Sequence, residues 1–329
     1  MPGAGGLDTS FLNNITRTHF IDVVKNNLYN KSPFFNRMFV KGRIQKAYGS
    51  ALAWDTVLLK HASVGIFSGY DTFAVQPINP TVAATLNYGS YYGAMAISGE
   101  EKRKNSGNME KLLDAIKTQH DNAISTLKDQ MYTGAFSDGS LIGGRQGLIG
   151  LSAAVSATNT YANINRATAA NAQWKANVNA TALTIANLKD PTTTSYMPSV
   201  MRKLFTNATH DHSPDLLVFF EDQYNLYQDI AGINNLRFNK EIADLGFGGV
   251  EFQGATMVYD KFLTTGIAYF LATEDFGVWV FDGANFDMPE EGWMRPPNQD
   301  AFITQIIWSG QLRCDSPWHQ GAFTSIGAS

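Results

Sequence analysis

Six histidines, His19, His61, His120, His210, His212 and His319, are the first residues that could do chemistry, and only His210-Asp211-His212 brings two of them together. A metal centre needs three or four rigidly held ligands, whereas this triplet lies in a polar stretch just before Pro214 and reads as a solvated turn. The paired carboxylates Glu274-Asp275 and Glu290-Glu291 are adjacent in sequence, so on strands or turns they point apart rather than flanking a substrate as acid and base. Glycines between Ser140 and Gly150 invite a phosphate-loop reading, yet the spacing of Gly143, Gly144, Gly147 and Gly150 matches neither the dinucleotide fingerprint nor a Walker loop, and no Lys-Ser/Thr pair follows. Cys314 is the one cysteine, which excludes an internal disulfide; a lone thiol in a β-rich tail reads as a small buried hydrophobe. No HExxH, GxSxG, CxxC or Asp-x-Asp-x-Asp pattern occurs. These residues predict no catalytic, cofactor-binding or metal-binding position, no cofactor, and no enzyme.

The elements that would have to position such groups are those of an ordinary globular chain. Its 329 residues, 44% of them hydrophobic, can bury one large core or two moderate ones without help from disulfides or metals. A net charge of −4 argues against tight nucleic-acid binding, which scales with the number of Lys and Arg contacts to phosphate. No apolar run is long enough for a membrane span, and MPGAGGLDTSFLNN lacks the charged start and apolar centre of a secretory signal, so a cytosolic protein with no membrane partner is expected.

Along the chain, residues 1–48 form an apolar patchwork that reads as an arm, with Ser32-Pro33 stopping any helix, followed by the short basic run Lys41, Arg43 and Lys46. Strands are expected at 55–60, 73–76 and 85–92, a thin extended hairpin that wants a neighbour to cover it. The strongest helical period follows: Met109, Leu112, Leu113, Ile116, Ala123, Ile124, Leu127 and Met131, with Ser106 as N-cap and Gly134 as the end. That gives about 26 residues, roughly 39 Å, with Lys111, Asp114, Lys117, Asp121, Lys128 and Asp129 mostly outside the stripe. Residues 151–195, rich in Ala, Asn and Thr, read as a surface loop leading to a helix start; a helix over 196–205, a buried strand over 214–220 and a helix over 221–230 with Tyr224 and Tyr227 on one side follow. From Leu245 to Phe281, short runs of β-branched and aromatic residues broken by Gly254, Asp260, Gly266 and Gly277 predict an antiparallel meander.

This order, with Pro214-Asp-Leu-Leu-Val218, Tyr224-x-x-Tyr227, the stretch from Leu245 and the ending Ile306 to Gln320, resembles the major capsid proteins of tailed bacteriophages, the Hong Kong phage-type fold. Coverage is near total, and the resemblance rests on order and cumulative similarity rather than on one motif. It implies an α+β chain with an N-terminal arm (1–48), an extended β-hairpin loop (49–104), a spine helix with part of a peripheral domain (105–150), an axial domain (151–240), and peripheral-domain strands with the axial-domain C-terminal part (241–329). The implied function is structural: self-assembly as pentamers and hexamers into an icosahedral head, built in the host cytoplasm and kept in the virion. Its implied partners are copies of itself, a portal, a separate scaffolding protein (or, in its place, prior cleavage of a longer precursor), decoration proteins, and packaged double-stranded DNA held by weak non-specific contact. Some relatives weld subunits through a lysine-asparagine isopeptide bond; Lys60 lies in the extended loop but reads as an edge charge. Two alternatives stay open, an encapsulin-type compartment with the same fold and, more remotely, a β-rich carbohydrate-binding protein or enzyme suggested by the 12% aromatic content.

Overall fold

A computed structural model of the chain describes residues 32–58, 63–73, 75, 79–104, 109–140, 145–232, 250–288 and 292–327. The helices are α1 (Pro33–Val40), α2 (Gly99–Lys104), α3 (Met109–Phe136), α4 (Leu151–Ala154), α5 (Ile185–Lys189), α6 (Met197–Ala208) and α7 (Glu221–Ala231). The strands are β1 (Ile44–Ala47), β2 (Leu52–Val57), β3 (Thr81–Leu86), β4 (Gly89–Ser98), β5 (Asn177–Asn179), β6 (Leu216–Phe219), β7 (Val250–Phe252), β8 (Ala255–Tyr259), β9 (Ala268–Leu271), β10 (Phe276–Asp287), β11 (Ala301–Cys314) and β12 (Gly321–Phe323). The chain divides into two compact units. The first takes residues up to Tyr48, Tyr88–Gly150 and Gly277–Leu312, and the second takes Gly49–Asn87, Leu151–Phe276 and the chain from Arg313.

In the first unit a four-stranded sheet has the order β1-β10-β11-β4. β1 runs parallel to β10, and β11 runs antiparallel to β4 from Ala301 opposite Ser98 to Gly310 opposite Gly89. Alternation along β4 buries Tyr91, Met95 and Ile97. The helix α3 packs on that strand, its apolar stripe burying Ile116, Ile124, Leu127 and Met131. Here Gly134 does not stop the helix, which continues to Phe136. Its hydrogen instead makes room: a Cβ at Gly134 would lie 2.5 Å from the Tyr91 hydroxyl, and one at Gly147 would lie 2.8 Å from it. The phenol therefore sits between two glycines, and its oxygen accepts the Leu148 N–H at 2.8 Å.

The second unit holds a mixed six-stranded sheet of order β5-β12-β9-β6-β8-β7 and the two-stranded ladder β2-β3. β6 is buried on both faces, as a strand in mid-sheet must be, and it pairs parallel with β8 and antiparallel with β9. Leu217, Phe219, Met257, Phe270 and Phe323 from the sheet pack with Met197, Met201 and Leu204 of α6 and Tyr224 and Tyr227 of α7. The ladder β2-β3 runs in register from Leu52 opposite Leu86 to Val57 opposite Thr81.

Several expectations are corrected. Ser32 is extended, as expected before a proline, and Pro33 also opens α1, because proline at the first helical position lacks only an N–H that has no partner there anyway; the chain that Ser32-Pro33 was expected to stop lies outside the described residues. Phe73 and Val75 are not in a strand, and the run expected over 85–92 is split: Thr85 and Leu86 end β3, while Gly89 opens β4 in the other sheet. The meander is interrupted, since β6 lies between β8 and β9, and β10 belongs to the four-stranded sheet. Lys128 is buried rather than outside the α3 stripe. Residues 151–195 are not a surface loop: they supply α4, a 3-10 turn over Ala169–Trp174, β5 and α5, and they bury Trp174. The Ser106 cap, Lys60, Gly143 and Gly144, and the Glu290-Glu291 pair lie outside the described residues.

Candidate functional site

Three places in the second unit combine unusual chemistry with defined geometry, and the first is the turn at His210-Asp211-His212. The turn is exposed, as its composition suggests. The fold adds a third histidine to it: the His319 ring lies 6.0 Å from that of His210 and 5.3 Å from that of His212, and the Trp318 indole meets His210 edge-on at 4.7 Å. Asp275 Oδ2 contacts His319 Nδ1 at 2.7 Å and accepts from Gln320 Nε2 at 3.1 Å. Burial raises the Asp275 carboxyl above the usual carboxylate range, against the opposing pull of His319. Burial likewise holds the His210 imidazole below its ordinary value, with His319 adding to the shift. A cavity of about 400 Å³ opens beside these rings, lined also by Thr56, Trp174 and Asp315. Among the described residues no group of three His, Cys, Asp or Glu side chains is arranged to hold a metal ion. The adjacent pair Glu274-Asp275, expected to point apart, faces this one cluster, Glu274 meeting His212 at 3.8 Å and Asp275 meeting His319 at 2.7 Å, because the 3-10 turn that carries both packs against the histidines.

Arg166 is the second place, fully buried and, among the described residues, in no ion pair. Its Nε donates to Trp174 O at 2.7 Å, Nη1 to Ala153 O at 2.7 Å and Nη2 to Ala154 O at 2.6 Å. Burial lowers its pKa to about 10. The guanidinium lies 5.2 Å from the Tyr161 ring, whose hydroxyl accepts the Cys314 N–H at 2.9 Å while Trp174 Nε1 donates to Tyr161 O at 3.1 Å. The fork thus ties three turns of an Ala/Asn/Thr-rich stretch together. Cys314 is buried as expected, and burial pushes its thiol well above the ordinary range, which leaves it inert as a nucleophile.

The third place is the connection after β2. Val64, Ile66, Phe67, Tyr70, Phe73 and Val75 are all exposed; Ile66 and Tyr70 are as open as in an extended chain. Phe67 and Phe73 meet edge-on at 5.2 Å. Apolar side chains concentrated on a short exposed segment mark an interaction surface. This segment has the apolar residues of a buried strand but is punctuated by Gly65 and Gly69, and that mismatch was the available sequence signal. His319, over a hundred residues from His210, carried no such signal.

No protein-family model matches the chain, and no curated protein matches it. Solved structures do. The chain is similar to the capsid subunit of cyanophage A-1(L), with TM-score 0.57 and 16% identity over 88% of this chain and 93% of that one. The chain has the Hong Kong phage-type capsid fold. The capsid of Myoviridae phage XM1 matches the same fold with TM-score 0.54 and 12% identity over 88% of this chain and 92% of the other. An encapsulin complex from Synechococcus elongatus PCC 7942 matches with TM-score 0.52 and 8% identity over 90% and 88%. The α+β reading and the capsid fold expected from the order of elements agree with these likenesses.

Proposed function

We propose that the chain is the major capsid protein of a tailed phage, a structural protein that assembles with itself as pentamers and hexamers into the icosahedral shell enclosing double-stranded DNA. The observation that carries this reading is the exposed apolar segment 63–75 on a chain with the capsid fold: a soluble monomer gains nothing from leaving Ile66, Phe67 and Tyr70 open, whereas a neighbouring subunit would bury them. In this reading residues 1–48 are the arm, 49–104 the extended loop, 105–150 the spine helix with part of the peripheral domain, 151–240 the axial domain, and 241–329 the remaining peripheral strands and axial tail. A portal, a separate scaffolding protein and decoration proteins are the further partners, assembly takes place in the host cytoplasm, and the product is the virion.

Negative-stain microscopy with light scattering, on the purified chain alone and with a co-expressed scaffold, tests it. Capsomers or closed shells are expected for the natural sequence and their loss for the triple variant Ile66→Ser, Phe67→Ser, Tyr70→Ser. A monomer under both conditions would remove the shell reading. The encapsulin likeness supports one alternative, a compartment that encloses protein, and the contents of particles purified from the native source separate the two: nucleic acid for a phage head, a cargo enzyme for a compartment.

A further inference from the structure

Between Gly139 and His210 the chain has six cations, Arg145, Arg166, Lys175, Lys189, Arg202 and Lys203, against the single carboxylate Asp190. That is a local net of +5 in a chain whose total is −4. Arg166 is buried, and Asp190, which accepts from the Thr192 N–H and hydroxyl at 2.9 and 2.7 Å, is held ionised but lies outside the groove described next. The other five cations outnumber that one carboxylate, so the surface of this stretch is positive. Lys175 and Lys203 line a groove of about 820 Å³ with Asn177, Asn179, Thr181 and Asn207, and no acidic side chain lines it. A second hollow shares Lys203 and Asn207 with the first and adds Arg202, Ser199 and Thr206, again without a carboxylate. The groove follows β5, an outer strand of its sheet, and the face of α6 that carries Val200, Lys203, Leu204 and Asn207. Among the described residues none of Lys175, Arg202 and Lys203 forms an ion pair.

We propose that this groove is a contact surface for the phosphate backbone of duplex DNA. Its charge, its amides and its hydroxyls suit phosphate oxygens, which accept from Lys, Arg, Asn, Ser and Thr. It offers no aromatic platform on which an unpaired base could stack, so the contact is to backbone and is indifferent to sequence. An acidic total charge and a DNA-facing surface are compatible because this stretch has six cations against one carboxylate, while the other 28 of the 29 carboxylates lie elsewhere in the chain. The proposal rests on the shell reading, since packaged DNA supplies the partner.

Binding of a fluorescent duplex to the full chain, measured by anisotropy over a range of salt, tests it. Each lost phosphate contact reduces the slope of log affinity against log salt by about 0.9, so the triple variant Lys175→Gln, Arg202→Gln, Lys203→Gln should have a slope about 2.7 shallower. Between about 50 and about 200 mM salt the natural chain would then lose about 40-fold more affinity than the variant. The single change Lys203→Gln should reduce the slope by about 0.9 and serves if the triple variant folds poorly. A control triple, Lys104→Gln, Lys117→Gln, Lys261→Gln, should keep the natural slope. Equal slopes for groove and control variants, or no duplex binding by the natural chain, overturn the proposal; so does binding of a labelled oligoglutamate without binding of duplex, which would assign the groove to an acidic protein segment. Particles are scored in the same preparations. Shells with an unaltered slope reject the groove alone, and a groove-dependent slope without shells rejects the shell reading alone.

Discussion

Around Arg166 every arm of a buried guanidinium has an acceptor within its own unit, while between Val64 and Val75 six apolar side chains stand open to solvent. The first arrangement is complete in a single chain. Its free energy is already present in the monomer, because each buried carbonyl that Arg166 satisfies would otherwise lack a donor. The second is incomplete, and its free energy can be recovered only when another molecule removes that apolar surface from water. Stability and association are thus written on different residues of the same unit, and each can be changed without the other.

The sharpest way to break this contrast is Arg166→Leu. It leaves the carbonyls of Ala153, Ala154 and Trp174 buried without their donor, and urea unfolding of the full chain should show a loss of about 4 kcal/mol. A loss below about 1 kcal/mol would mean that water replaces the fork and that the cluster is less closed than its burial suggests. Tyr161→Phe removes only the acceptor of the Cys314 N–H and should cost about 1–2 kcal/mol in the same measurement. By contrast, Ile66→Ser, Phe67→Ser, Tyr70→Ser should shift the unfolding free energy by less than about 0.5 kcal/mol while abolishing particles; a large stability loss would show that the segment already has a role within the monomer.

The smallest effect is a pH dependence at the histidine turn. Burial, with His319 nearby, holds the His210 pKa below its unfolded value, so the unfolded chain binds the proton more readily. The contribution is therefore fully present above about pH 6.5 and is lost as pH falls from there through the lower folded value. Melting temperature should drop between about pH 7 and about pH 5.5, and His210→Asn should make that drop smaller. An identical drop in the variant would place the acid sensitivity elsewhere, with buried His120, also shifted down by burial, the next residue to substitute.

Local periodicity made the helices α3, α6 and α7 and the strand β6 legible, since a stripe of apolar residues or an unbroken apolar run is a property of neighbours in sequence. Pairing is not. Nothing within Leu216–Phe219 says that it enters between β8 and β9, because a parallel partner is reached through a long connection. Gly134 carries the residue type of a helix stop and serves instead as clearance for Tyr91, a distinction visible only once β4 lies beneath α3. The burial of Trp174 and Arg166 was not legible because Ala, Asn and Thr around them lower the hydrophobicity of the stretch; the core there is built from one indole and a set of hydrogen bonds. At the histidine turn, His210 and His212 were legible as neighbours, but His319 comes from the far end of the chain and is delivered by the pairing of β12 with β9.

That same strand has a consequence for synthesis. β12 joins β5 to β9, so the six-stranded sheet remains two pieces until residues 321–323 have left the ribosome. Likewise β4, made early, waits for β11 more than two hundred residues later. Such long-range pairing delays closure of both units until nearly all of the described chain is available. A chain interrupted before β12 therefore carries an unsealed sheet, with the edges of β5 and β9 left unpaired.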